Sequence, residues 1–197
     1  MAYNKEFVEK WLSRFHDVIL ENKEYLSELD TPIGDQDHGF NMARGVEAYN
    51  ASIAKAPAKD CGDAFAKLAM AMLSKVGGAS GPLYGSAFLA LGKVLRGKEE
   101  FTDQDLAAAV TEGLKAIQGR GHAHEGEKTM VDVWAPVSRA LTAGKLTLGE
   151  IDGFVEATKP LKATKGRASY LGDRSIGHID PGAASSGIFF RTFLQTK

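Results

Sequence analysis

Residues 29–45 read LDTPIGDQDHGFNMARG. Ahead of them Phe7, Val8, Trp11, Leu12, Phe15, Val18, Ile19, Tyr25, Leu26 and Leu29 recur at three- and four-residue spacing, the pattern of one helix face packed on a core. Asn4 suits that helix as an N-cap. Behind them Phe40, Met42, Val46 and Tyr49 repeat the same spacing. The stretch is therefore a connection between helices. Pro32 disfavours helical geometry at Thr31 and Gly34 punctuates the turn, so the first helix is expected to end near Leu29 and the next to begin near Gly39. Within this turn lie Asp30, Asp35 and Asp37, followed by His38. Carboxylates this close repel one another. Either the turn is a solvated acidic loop with Asp37 as a helix N-cap, or the carboxylates hold a hard cation such as Mg2+, which prefers oxygen ligands. The spacing is not that of a calcium EF-hand loop.

Working outward, the helical pattern continues. One helix runs through Phe65, Leu68, Met72, Leu73 and Val76, and the next follows GGASGPLYG with Pro82 in its first turn. Thr102 caps a helix carrying Leu106, Val110, Leu114 and Ile117. Another passes through Met130, Val133, Trp134, Val137 and Leu141, and Thr147 with Glu150 forms a capping box for the one after. A polar loop precedes a last helix that starts near Pro181. No sustained alternating strand pattern appears, and about eight helices make the fold all-α. One domain over residues 1–197 is the simplest account.

The totals exclude several classes. The chain has 24 basic and 25 acidic residues in 197, with 44% hydrophobic composition, which gives no basic surface for nucleic acid. The N-terminus lacks the apolar run of a signal peptide, and no run approaches the roughly 18 residues of a membrane span. Cys61 is the single cysteine and has no internal partner. The chain reads as cytoplasmic, with neither nucleic acid nor membrane as a direct partner.

Three loops carry candidate chemistry. GDQDHG runs straight into a helix start, where unpaired N–H groups and the positive dipole end suit phosphate, and His38 is placed to donate to a phosphate oxygen. Its alternative is a surface histidine or a local turn contact. VGGASGPLYG lets backbone approach a ligand and offers Ser80, though it lacks the lysine of a Walker loop. KGRASYLGDRSIGHIDPG supplies Lys165, Arg167, Arg174 and His178, and then Asp180 and Pro181 as N-cap and first helical residue. Met130 suits either an adenine ring or the core.

IGDQDHGFNMARG, VGGASGPLYG, EKTMVDVW and KGRASYLGDRSIGHIDPGA, in this order over nearly the whole chain, resemble the nucleotide-binding subunit family of dihydroxyacetone kinases, in the form used by bacterial phosphotransferase systems. The resemblance implies a barrel of eight antiparallel helices with the nucleotide in the loops at one end. It implies that Asp30, Asp35 and Asp37 hold two Mg2+ ions, and that His38 and Asn41 contact phosphate. Ala79, Ser80, Gly121, Met130, Arg167, Asp180, Pro181 and Gly182 would frame the nucleotide, with Arg167 and His38 as the catalytic side chains. The implied cofactor is tightly bound ADP, cycling with ATP. A phosphohistidine protein of the phosphotransferase system would be the donor, and dihydroxyacetone on a separate kinase subunit the acceptor. Two other readings keep the module: a nucleotide-sensing coactivator of a transcription regulator, and an ATP-dependent kinase subunit for another acceptor. The two histidines of HAHEGEKT, His122 and His124, read as solvent-facing loop residues.

Overall fold

The structure, a computed structural model, describes residues 1–33 and 36–197. Nine α-helices lie among them: α1 (Lys5–Glu21), α2 (Lys23–Glu28), α3 (His38–Lys55), α4 (Cys61–Lys75), α5 (Ser80–Leu95), α6 (Asp103–Gly121), α7 (Val131–Thr142), α8 (Leu148–Glu156) and α9 (Pro181–Thr196). Thr31–Ile33 and Arg167–Ser175 form 3-10 turns, the second kinked at Gly172. Strands β1 (Ala2–Asn4) and β2 (Glu100–Thr102) pair antiparallel, with Tyr3 opposite Phe101.

The local signals hold where both partners sit within one turn. Asn4 Oδ1 accepts from the Phe7 amide, and Thr102 with Asp105 and Thr147 with Glu150 form reciprocal capping boxes. Three expectations need correction. The first helix does not run unbroken to Leu29. It breaks at Asn22, whose side-chain Nδ2 donates to Val18 O at 2.8 Å and competes with the helical ladder. The chain also contains the small β1–β2 ribbon, whose three-residue strands are too short to alternate visibly. Tyr3 packs on Phe101 there, and its hydroxyl donates to Asp103 Oδ1. Phe40 and Leu73, expected on apolar faces, are exposed.

Helices close in sequence pack side by side from α3 through α9, and α9 rests on both α8 and α1. The core is aromatic. Phe189 of α9 meets Trp11 at 4.7 Å, Phe88 at 5.0 Å, Phe15 at 5.3 Å and Trp134 at 6.0 Å between ring centroids. Trp11 Nε1, buried among these rings, donates to Phe189 O at 3.0 Å, so the indole is satisfied. Rings from α1, α5, α7 and α9 thus meet in one place. Among the described residues no helix is long and apolar enough to cross a membrane.

Where α4 crosses α5, a Cβ on Gly62 would come 2.4 Å from Gly92 O and 2.5 Å from the Arg96 amide. Gly62→Ala is expected to cost about 1–3 kcal/mol by forcing two backbones apart. Gly119, exposed within α6, has nothing within 4 Å of such a Cβ. Gly119→Ala is expected to add about 0.5–1 kcal/mol from helix propensity. Denaturant midpoints of the two variants check the opposite signs.

Candidate functional site

The starts of α3, α5, α7 and α9 line one cleft: Asp37 and His38, Ala79 and Ser80, Thr129 and Met130, Asp180 and Pro181. Four helix N-termini bring partial positive charge to one place. The cleft has a volume of about 220 Å³, too large for a lone ion. It opens beside an apolar recess of about 260 Å³, whose lining includes Leu83, Ile117, Ala123 and Val131.

Each helix start is finished differently. At α3, Asp37 occupies the N-cap position without capping. The Gly39 and Phe40 amides instead donate to Ser27 Oγ of α2, at 3.1 and 3.3 Å. The carboxylate of Asp37 is left facing the cleft with Asp30, whose Oδ2 accepts from the Asp37 amide at 3.4 Å. At α5 no side chain caps the start. Backbone packs tightly there: a Cβ on Gly81 would lie 2.2 Å from Val76 O, and Gly78 has φ +65°. At α9, Asp180 Oδ2 accepts from the Ala183 amide at 2.8 Å, the N-cap expected from sequence. Burial raises the Asp180 carboxyl to about 7, helped by Asp132 and Asp30 and opposed by the Ala183 amide and Lys128.

Of the sequence-derived residues, Asp30, Asp37, His38, Asn41, Ala79, Ser80, Met130, Arg167, Asp180, Pro181 and Gly182 line this one cleft. Gly121 and Met130 line the apolar recess. Asp35 lies outside the described residues, and among those described no three His, Cys, Asp or Glu side chains form a metal set by themselves. His38 is buried, with Nε2 2.9 Å from Ser185 Oγ and Nδ1 3.2 Å from Ser80 Oγ. Burial lowers its pKa to about 4, partly opposed by Asp37, so the ring is neutral near pH 7. Arg167 follows Gly166, whose φ of +66° turns the chain into the second 3-10 segment. His122 sits at the left-handed C-cap of α6, and the His124 amide donates to Glu127 Oε2. Both stay at the surface.

Sequence reading missed Lys128 and Tyr84. Lys128 is 3% exposed, and its ammonium donates to Thr158 O at 2.7 Å, to Lys159 O at 3.4 Å and to His178 O. It ties the entry to α7 onto the segment that leads into Asp180. Thr158 Oγ1 completes the tie by accepting from the Asp180 amide at 3.1 Å. Burial lowers the Lys128 pKa, while Asp180 and Asp132 hold it up. The signal was weak because a lysine directly after Glu127 in a polar loop looks like solvated surface. Lys128→Met is expected to cost about 1–3 kcal/mol, with faster amide exchange concentrated between residues 158 and 180. Thermal melts with hydrogen-exchange mass spectrometry check both.

A family model described as the DAK2 domain matches residues 32–195. The ADP-binding subunit DhaL of PEP-dependent dihydroxyacetone kinase 1 from Listeria innocua is 49% identical over 197 residues, covering 100% of this chain and 99% of that protein. The ADP-binding subunit DhaL of the PTS-dependent dihydroxyacetone kinase from Lactococcus lactis is 50% identical, covering 94% of each. The crystal structure of the dihydroxyacetone kinase from C. freundii in complex with AMP-PNP and Mg2+ superposes with a TM-score of 0.72 at 23% identity, over 98% of this chain and 33% of that one. That likeness speaks to the fold, and the two subunits to the family. The chain belongs to the DAK2-domain family, on the branch formed by the ADP-binding subunits of PEP-dependent dihydroxyacetone kinases.

Proposed function

We propose that this chain is a cytoplasmic phosphoryl carrier, a single nucleotide-binding domain over residues 1–197 that works between two other proteins of a dihydroxyacetone kinase. The carrying observation is the cleft itself: four helix starts, with Asp30, Asp37, Asp180 and Arg167 on one opening beside an apolar recess. The closing of α9 onto α1 supports reading the helices as the barrel with its nucleotide at one end.

The donor set fits Mg–nucleotide. Asp30 and Asp37 offer hard oxygen ligands, and Asp35 is adjacent in sequence. Together the three would hold two Mg2+ ions. Bound ADP would accept a phosphoryl group from a phosphohistidine of a phosphotransferase-system protein and pass it to dihydroxyacetone on a separate kinase subunit. The residues of this chain would position and neutralise. The uncapped amides at the start of α5, with Ser80 and Asn41, would face the phosphates, while α3, whose Gly39 and Phe40 amides are taken by Ser27, would contribute its positive dipole end. Arg167 would stabilise charge that develops in transfer. Leu83, Ile117 and Met130 would receive an aromatic base. No nucleophile or general base is needed on this chain, because phosphoryl transfer depends on charge neutralisation and alignment.

Protein purified without added nucleotide, then denatured, is expected to release about one ADP and about two Mg2+ per chain. An empty chain that binds ATP reversibly would favour ordinary ATP-dependent kinase chemistry. Asp37→Asn is expected to lose metal and nucleotide together with helix content unchanged by circular dichroism. Full nucleotide content after gel filtration would remove Asp37 from the metal set. Arg167→Ala is expected to slow transfer at least tenfold with nucleotide retained, read in a reconstituted assay with the donor and acceptor subunits.

A further inference from the structure

Behind the cleft wall runs a line of buried hydroxyls. Trp134 Nε1 donates to Ser186 Oγ at 3.0 Å, and Ser186 Oγ lies 2.8 Å from the Tyr84 hydroxyl. The Tyr84 hydroxyl lies 2.6 Å from Ser185 Oγ, which is 2.9 Å from His38 Nε2. His38 Nδ1 is 3.2 Å from Ser80 Oγ, and Ser80 lines the cleft. Every member except Ser80 is buried.

An indole nitrogen donates only, so the first proton in this line has a fixed direction. Having accepted it, Ser186 turns its own proton to Tyr84. Tyr84 in turn has Ser185 Oγ at 2.6 Å as a nearer acceptor than Gly182 O at 3.2 Å. Ser185 has His38 Nε2 at 2.9 Å, ahead of Pro181 O at 3.1 Å and Gly182 O at 3.2 Å. A neutral imidazole with Nε2 accepting carries its hydrogen on Nδ1 and donates there to Ser80 Oγ. Donors aligned head to tail polarise and strengthen one another.

We propose that Trp134, Ser186, Tyr84 and Ser185 are positioning residues that hold the hydrogen of His38 on Nδ1, so that Ser80 keeps its hydroxyl proton for an anionic ligand in the cleft. This rests on the nucleotide reading for the identity of the anion. The opposite tautomer would turn the Ser80 hydroxyl onto Nδ1 and away from any ligand.

The test uses the full chain labelled with 15N-histidine at neutral pH, with the His38 signals assigned against His38→Gln. The expected spectrum shows a protonated Nδ1 and an unprotonated Nε2. Tyr84→Phe cuts the line with little change in shape. It is expected to move the hydrogen to Nε2 and to weaken Mg–ADP binding about tenfold, the size of a hydrogen bond to a charged group. In a Ser80→Ala background the same change is expected to weaken binding no further. Ser186→Ala, one link away, is expected to shift the tautomer in the same direction. A hydrogen on Nε2 in the unmodified chain overturns the proposal. So do Tyr84→Phe and Ser80→Ala effects that multiply. A chain with the expected tautomer that binds neither ADP nor ATP with Mg2+ would confirm the relay and overturn the nucleotide reading instead.

Discussion

The convergence of four helix N-termini on one opening is the constraint around which the rest of this molecule is arranged. Each helix start carries roughly half a positive charge, and α3, α5, α7 and α9 bring theirs to a single cleft. Such an arrangement repels itself and must be held from elsewhere. The holding is apolar: Phe189 of α9 gathers Trp11 and Phe15 of α1, Phe88 of α5 and Trp134 of α7, so three of the four helices that meet at the cleft are pinned by one ring cluster. Lys128 adds a polar tie at the rim by joining the entry to α7 with the carbonyls of residues 158, 159 and 178.

The way α3 begins connects this architecture to chemistry. An aspartate at an N-cap ordinarily accepts from the first-turn amides. Here Ser27, from the preceding short helix, takes the Gly39 and Phe40 amides, and the Asp37 carboxylate remains available to the cleft. The break at Asn22 that separates α1 from α2 is therefore tied to the cleft through Ser27, because α2 is the element that carries this cap. At α9 the opposite choice is made. Asp180 caps its own helix, and burial raises its carboxyl to about 7, so that it is only partly charged at pH 7.

What the sequence disclosed follows from range. Asn4, the Thr102 cap, the Thr147–Glu150 capping box and Asp180 act over three residues, so each was legible beside its helix. The all-α class followed from periodicity. The loops that frame the cleft were legible as glycine-rich and charged segments, and Asp30, Ser80, Met130 and Arg167 do line one opening. Contacts that cross the chain were not legible. Ser27 caps a helix twelve residues on, the carbonyls that hold Lys128 lie thirty to fifty residues away, and Tyr84 meets Ser185 across about a hundred. Tyr3 against Phe101 forms a ribbon too short to leave a pattern. Phe40 fits helix spacing yet faces solvent, since spacing alone does not say which face the neighbours cover.

The charges of the cleft narrow what it can hold. A bare divalent cation would meet Asp30 and Asp37, but also four positive helix ends and the nearby Lys165 and Arg167. A bare polyanion would meet those same helix ends and basic groups, but also the two carboxylates. Either ligand alone satisfies one half of the site and is opposed by the other. A cation–polyanion pair satisfies both, with the metal toward the aspartates and the anion toward the helix starts. The apolar recess beside the cleft then selects among such pairs for one carrying a flat, weakly polar body that Leu83, Ile117 and Met130 can cover. Mg–nucleotide meets all three demands. Inorganic pyrophosphate with Mg2+ meets only the first two, so the apolar recess is the feature that would favour a nucleotide over a bare phosphate chain.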